Sequence, residues 1–79
     1  MPRKKFDIMR DILDAAGEGS SKRELFRNVG LNYKTLNKYL SILKEKKFLN
    51  ESNGNYKTNG RGHEFSKIYS DLKELLKEN

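Results

Sequence analysis

Seventy-nine residues with no cysteine exclude a large core, a disulfide framework and a thiolate metal site, and point to one domain in a reducing compartment. Apolar residues make up 34% and charged residues 35%, yet the apolar ones recur at regular spacing, which excludes a disordered tail. The formal net charge of +6 is unevenly spread. Residues 1–31 carry seven Lys/Arg against five Asp/Glu, residues 32–63 carry seven against two, and residues 64–79 carry three against four. The middle of the chain therefore concentrates the excess positive charge, and a polyanion is the partner it would attract.

Residues 1–5 read as a loose basic arm. No long apolar run follows it, so neither a signal peptide nor a membrane span is expected, and the cell interior is the expected location. A first helix is predicted over 5–16, with Phe6, Met9, Leu13 and Ala16 on one face and Ile12 beside them. Asp7, Arg10, Asp11 and Asp14 face water, and Asp7 and Asp11 can pair with Arg10 and Arg3 for a few tenths of a kcal/mol each. Gly17-Glu18-Gly19 ends this helix.

Ser21-Lys22-Arg23-Glu24 is a capping box, in which the serine side chain accepts from a first-turn amide and the glutamate reaches back. It opens a short second helix over 21–28, with Leu25, Phe26 and Val29 as its apolar contribution. Gly30 breaks that helix, Leu31 plugs the turn, and Asn32 caps a long third helix predicted over 33–47. Leu36, Leu40 and Leu43 share one face of it, flanked by Tyr39. Lys34, Asn37, Lys38 and Ser41 occupy the opposite face. A helix with one apolar side and one cationic, amide-bearing side can dock on a small core and offer its other side to a nucleic-acid groove.

After the basic run that ends at Lys47, residues 48–58 read as a hairpin. Asn53-Gly54 is a strong two-residue turn signal, Tyr56-Lys57-Thr58 returns, and Phe48 and Tyr56 anchor the pair to the helices. Asn59-Gly60-Arg61-Gly62 reads as a second turn, with Asn59 a cap. A last helix follows over 61–77. Its Phe65, Ile68, Leu72 and Leu75 repeat at spacings of three, four and three, with Tyr69 and Leu76 alongside. Phe65 and Ile68 are expected to close the core. Leu72, Leu75 and Leu76 lie beyond it, so they either fold back on the first helix or bury against a second copy, and a homodimer is the expected outcome.

No catalytic or metal-binding constellation is legible. His63 is the only histidine, a serine nucleophile has no evident base, and neither Gly17-Glu18-Gly19 nor Gly60-Arg61-Gly62 has the spacing of a phosphate-binding loop. No cofactor, metal, membrane partner or small-molecule ligand is expected, and the chain does not read as an enzyme.

The order helix, helix, turn, helix, hairpin, helix resembles a winged helix-turn-helix: mainly α with a small β-hairpin, a three-helix core, a wing and a C-terminal fourth helix. The residues that carry the resemblance are Gly30-Leu31-Asn32-Tyr33-Lys34-Thr35-Leu36, running into Lys38-Tyr39-Leu40 and Leu43, with Gly54, Tyr56 and Arg61-Gly62. They are similar to those of small archaeal winged-helix proteins regarded as transcriptional regulators or chromatin-associated DNA-binding proteins, over about residues 8–76. The resemblance implies double-stranded DNA as partner, nucleoid association within the cytoplasm, and entry of the third helix into the major groove through Tyr33, Lys34, Asn37, Lys38 and Ser41. It implies phosphate contacts from Lys22, Lys44, Lys57 and Arg61. Leu72, Leu75 and Leu76 would form the dimer contact. Thr58 stands where the family usually has leucine and is expected to loosen the wing. Two other readings stay open: nonspecific chromatin binding, and a winged-helix adaptor that binds protein and no nucleic acid. RNA binding is less favoured, because Phe6, Phe26, Phe48 and Phe65 are read as core rather than as stacking platforms.

Overall fold

The computed structural model describes residues 3–77, so Met1 and Pro2 of the expected arm, and Glu78 and Asn79, lie outside the described residues. Within them the order is α1 (Lys5–Ala16), β1 (Ser20–Ser21), α2 (Lys22–Val29), α3 (Tyr33–Glu45), β2 (Leu49–Ser52), β3 (Asn55–Thr58) and α4 (Gly60–Leu76). This is the expected architecture, mainly α with a β-hairpin wing and four helices.

Local chemistry sets most of the boundaries. The Ser21 hydroxyl accepts from the Glu24 amide at 3.1 Å while the Glu24 carboxylate accepts from the Ser21 amide at 2.9 Å, so the capping box of α2 is complete. Asn32 caps α3 by accepting from Thr35 N at 2.8 Å, and Asn59 caps α4 by accepting from Gly62 N at 2.9 Å. The expected turn at 59–62 is thus the cap and first turn of a helix. α3 ends two residues before its expected limit, because Lys47 takes a left-handed conformation (φ 66°). Its amide donates to Lys44 O and the Phe48 amide to Leu43 O, both at 3.0 Å, the bonding pattern of a Schellman stop. The hairpin begins at Leu49 and turns through Asn53 and Gly54, at φ 53° and 78°. Two positive φ values in a two-residue loop match the twist of the flanking strands.

The sheet has three strands in the order β1-β3-β2, all antiparallel. β1 is a pair of serines, with Ser20 opposite Tyr56 and Ser21 opposite Asn55. It gives the hairpin a second neighbour, without which two strands would be marginal.

One core joins α1, α2, α3 and the wing. It contains Met9, Ile12, Leu13 and Ala16, then Leu25 and Val29, then Leu36, Tyr39, Leu40 and Leu43, then Leu49 and Tyr56. Phe48 and Phe65 pack on its edge, half-buried. Three apolar positions expected in the core are outside it: Phe6 is 50% exposed, Phe26 36% and Ile68 58%. Phe6 lies edge-on to Phe65 and Tyr69, and Phe26 stacks on Tyr33, so these two rings pack at the rim rather than inside the core.

Thr58 overturns its expectation. It is 2% exposed, and its hydroxyl donates to Leu13 O at 2.6 Å while its amide donates to Gly17 O at 3.3 Å. The backbone bond would be open to leucine as well, but the hydroxyl adds a second tie between the wing and the last turn of α1 that leucine could not make. Arg3 is likewise not loose. Its guanidinium donates to Asp11 at 2.9 Å and to Gly30 O at 3.3 Å, linking the N-terminal segment to the turn before α3.

α4 is attached differently from the other helices. Its buried residues are Gly62 and Ser66. A Cβ on Gly62 would stand 2.2 Å from Phe48 O and 2.8 Å from the Thr58 methyl, so the helix start lies directly on the backbone leaving α3. Further along, Ser66 Oγ donates to Asp14 at 2.5 Å, and Tyr69 OH and Lys73 Nζ donate to Asp7 at 2.9 and 2.8 Å. Those two bonds, Lys73 first, hold the Asp7 carboxyl down at about 2, below its ordinary 3.8. Phe48, Phe65 and Tyr69 stack in succession along this seam.

Candidate nucleic-acid interface

The apolar face of α3 is spent on the core, and that fixes where its other face points. Leu36 and Leu43 are fully buried, and Leu40 and Tyr39 nearly so. A helix pinned on that side must turn residues 34, 37, 38 and 41 outward. Lys34, Asn37, Lys38 and Ser41 are indeed all exposed, and no other element covers them. Lys38 leans over the Tyr39 ring, its ammonium 5.6 Å from the centroid, a contact that restricts the side chain without neutralising it. Tyr33, at the first position of the helix, is 46% exposed. Its ring stacks on Phe26 of α2 with centroids 4.1 Å apart and planes within 3°.

The four cations assigned to phosphate separate into two kinds. Lys22 lies at the start of α2 and Lys57 on β3, and neither takes part in an ion pair among the described residues. Lys44 and Arg61 each have an intramolecular partner. Lys44 Nζ donates to Glu51 of β2 at 2.6 Å and lies 6.0 Å from the Tyr56 ring centroid, which braces the last turn of α3 against the wing. The pair raises the Lys44 ammonium and lowers the Glu51 carboxyl, each mainly through that hydrogen bond. Burial first, and the Glu51 charge second, pushes the Tyr56 phenol up. Arg61 Nε donates to Lys46 O at 3.2 Å and its guanidinium sits 5.2 Å over the Phe48 ring, so it helps satisfy the free carbonyls at the end of α3.

The sequence reading left out Arg23 and Arg27. Both are exposed on α2, on either side of Phe26, and neither has a carboxylate partner among the described residues. The available signal was their i−3 and i+1 spacing from Phe26, which had been read as core. At the wing tip Asn53 and Asn55 are exposed with Lys57 beyond them.

Among the described residues no group of His, Cys, Asp and Glu is arranged to hold a metal ion, and no helix is long and apolar enough to cross a membrane.

Two helices joined by a tight turn, the second held by its apolar side with a basic face outward, and a hairpin beside its far end, define a winged-helix scaffold with an open third helix. The chain belongs to the winged helix-turn-helix family, whose model matches residues 2–77. Its fold is similar to the crystal structure of Sso10a-2, a DNA-binding protein from Sulfolobus solfataricus, with a TM-score of 0.74 and 24% identity over 98% of this chain and 100% of that one. No curated protein matches the sequence. The winged helix-turn-helix is a binding scaffold rather than a catalytic one, which accords with the reading that the chain is not an enzyme.

Proposed function

We propose that the protein binds double-stranded DNA by laying the outer face of α3 in the major groove, and that it regulates transcription by occluding the site it covers, on chromosomal DNA inside the cell. The observation that carries this reading is the open ledge of Lys34, Asn37, Lys38 and Ser41 on a helix whose opposite side is locked in the core. The DNA-binding description of the structurally similar Sso10a-2 supports it. Asn37 is the base reader, since a carboxamide can make two bonds to adenine, and Lys38 contacts guanine or phosphate. Tyr33 and Ser41 border them. Lys22 and Lys57 hold the DNA backbone, while Lys44 and Arg61 add charge to the surface and keep their own partners.

The test is a titration of specific and random duplexes at two salt concentrations with a Lys34→Ala, Lys38→Ala double variant. It is expected to stay folded and to bind at least about tenfold more weakly, a loss on the order of 1.4 kcal/mol. Unchanged binding removes α3 from the interface. Asn37→Ala separates a regulator from a general chromatin protein: relaxed base preference supports the first, and equal affinity across all duplexes before and after the change supports the second.

The same reading includes a homodimer formed through α4. Leu72, Leu75 and Leu76 are 47%, 80% and 68% exposed, and Ile68 extends the stripe. The stripe borders an apolar groove lined by Phe6, Phe65, Ile68, Tyr69 and Leu72, and a second copy of the same helix laid there would cover both. A two-fold dimer would match a palindromic site. Sedimentation at tens of micromolar should give a dimer, and a Leu72→Ser, Leu75→Ser variant a monomer; a monomeric parent removes the dimer and leaves the DNA reading intact.

A further inference from the structure

The rings of Phe26 in α2 and Tyr33 at the start of α3 form a parallel, face-to-face stack. Both remain exposed, at 36% and 46%. Neither ring belongs to the buried core. Leu25 and Val29 of the same helix belong to the core, whereas the ring contact of Phe26 is with Tyr33.

Three further observations bear on it. Tyr33 is the first residue of α3, directly before Lys34 of the basic ledge. A ring at a helix start has no preceding turn to hold it and would otherwise sample several rotamers. Lys22, Arg23 and Arg27 surround Phe26 on α2, Lys34 follows Tyr33, and none of the four has an ion-pair partner among the described residues. The only acidic residue of α2, Glu24, is turned into the capping box with Ser21. The surroundings of the stack are therefore net positive, with Lys22, Arg23, Arg27 and Lys34 against Glu24, and the partner whose charge complements them is a phosphate backbone.

We propose that Phe26 is a positioning residue for DNA binding: it covers one face of the Tyr33 ring and fixes Tyr33 in the orientation that meets the DNA backbone as α3 enters the groove. This rests on the DNA-binding reading above. Phe26 acts through Tyr33 and does not itself touch the duplex. The benefit is preorganisation, since a ring already held in its bound rotamer loses less freedom on association.

The experiment measures duplex affinity for Phe26→Leu, Phe26→Tyr, Tyr33→Ala and the Phe26→Leu, Tyr33→Ala double variant, with thermal unfolding of each as the folding control. Phe26→Leu keeps the apolar bulk but loses the planar face, and should weaken binding about five-fold with an unfolding midpoint close to the parent's. Phe26→Tyr keeps the stack and should bind like the parent. In the Tyr33→Ala background, Phe26→Leu should cause no further loss, because its only route to the DNA is gone. Parent-like binding by Phe26→Leu, or the same loss whether or not Tyr33 is present, overturns the proposal. The Lys34→Ala, Lys38→Ala variant, run alongside, tells the two failures apart. If that variant loses affinity and Phe26→Leu does not, only the stack's role falls; if that variant binds like the parent, the α3 reading falls and takes this proposal with it.

Discussion

α3 and α4 look alike in sequence and end in opposite situations. Each is amphipathic, each has an asparagine cap, and each carries a leucine stripe at spacings of three and four. α3 buries Leu36, Tyr39, Leu40 and Leu43, and its polar face is left for a partner. α4 does the reverse: it meets α1 through Ser66, Tyr69 and Lys73, and leaves Ile68, Leu72, Leu75 and Leu76 in solvent. A helical stripe states which residues share a face. It does not state whether that face has a surface opposite it, and in a chain of 79 residues the core is complete after three helices and the wing.

The strongest way to break this contrast is to truncate one leucine on each helix. Leu36→Ala should destabilise the protein by about 3 kcal/mol through lost burial and a residual cavity. Leu75→Ala, measured at concentrations low enough to keep single copies, should change stability by less than about 0.5 kcal/mol. Comparable losses in denaturant unfolding would mean that α4 is anchored by its leucines after all. Gly62→Ala attacks the one tight backbone approach of α4. Its Cβ has no room against Phe48 O, so a loss of about 2 kcal/mol is expected. Thr58→Val is smaller. It keeps the shape and removes the bond to Leu13 O, at an expected cost of about 1 kcal/mol.

The weakest effect is a pH dependence confined to the α1–α4 seam. The Asp7 carboxyl is depressed in the folded protein, so its contribution is present above its ordinary 3.8 and is lost as pH falls toward about 2. Acidification through that window should loosen Tyr69 and Lys73 from α1 while the α3 core persists, read from side-chain resonances of the two helices. Asp7→Asn should produce part of the same loosening at neutral pH. Simultaneous loss of both helices would contradict the separation.

How much of this could be read from the chain depends on distance along it. The caps at Ser21, Asn32 and Asn59, the Asn53-Gly54 turn and the apolar face of α3 are local patterns, and each has its expected geometry in the fold. β1 was missed because two serines carry no apolar alternation; the strand exists only because β3 lies alongside it. Phe6, Phe26 and Ile68 were read as core because their spacing fitted. The partners of Lys44 and Arg61 lie seven and fifteen residues away, in Glu51 and Lys46, beyond what charge counting can detect. Thr58 was misread for the same reason, since its partner Leu13 is 45 residues distant. The basic ledge of α3 was legible because one helix defines it, whereas the Phe26–Tyr33 stack needs two helices brought together.

Two helical faces are open, that of α3 and that of α4, and only the first is expected to meet DNA. A short duplex titrated into isotopically labelled protein, followed by amide chemical-shift changes, tests this directly. Shifts concentrated on residues 33–41 and on the turn before them, with residues 67–76 of α4 unchanged, are predicted. Shifts along α4 with α3 unmoved would contradict the assignment of α3 as the DNA-reading helix.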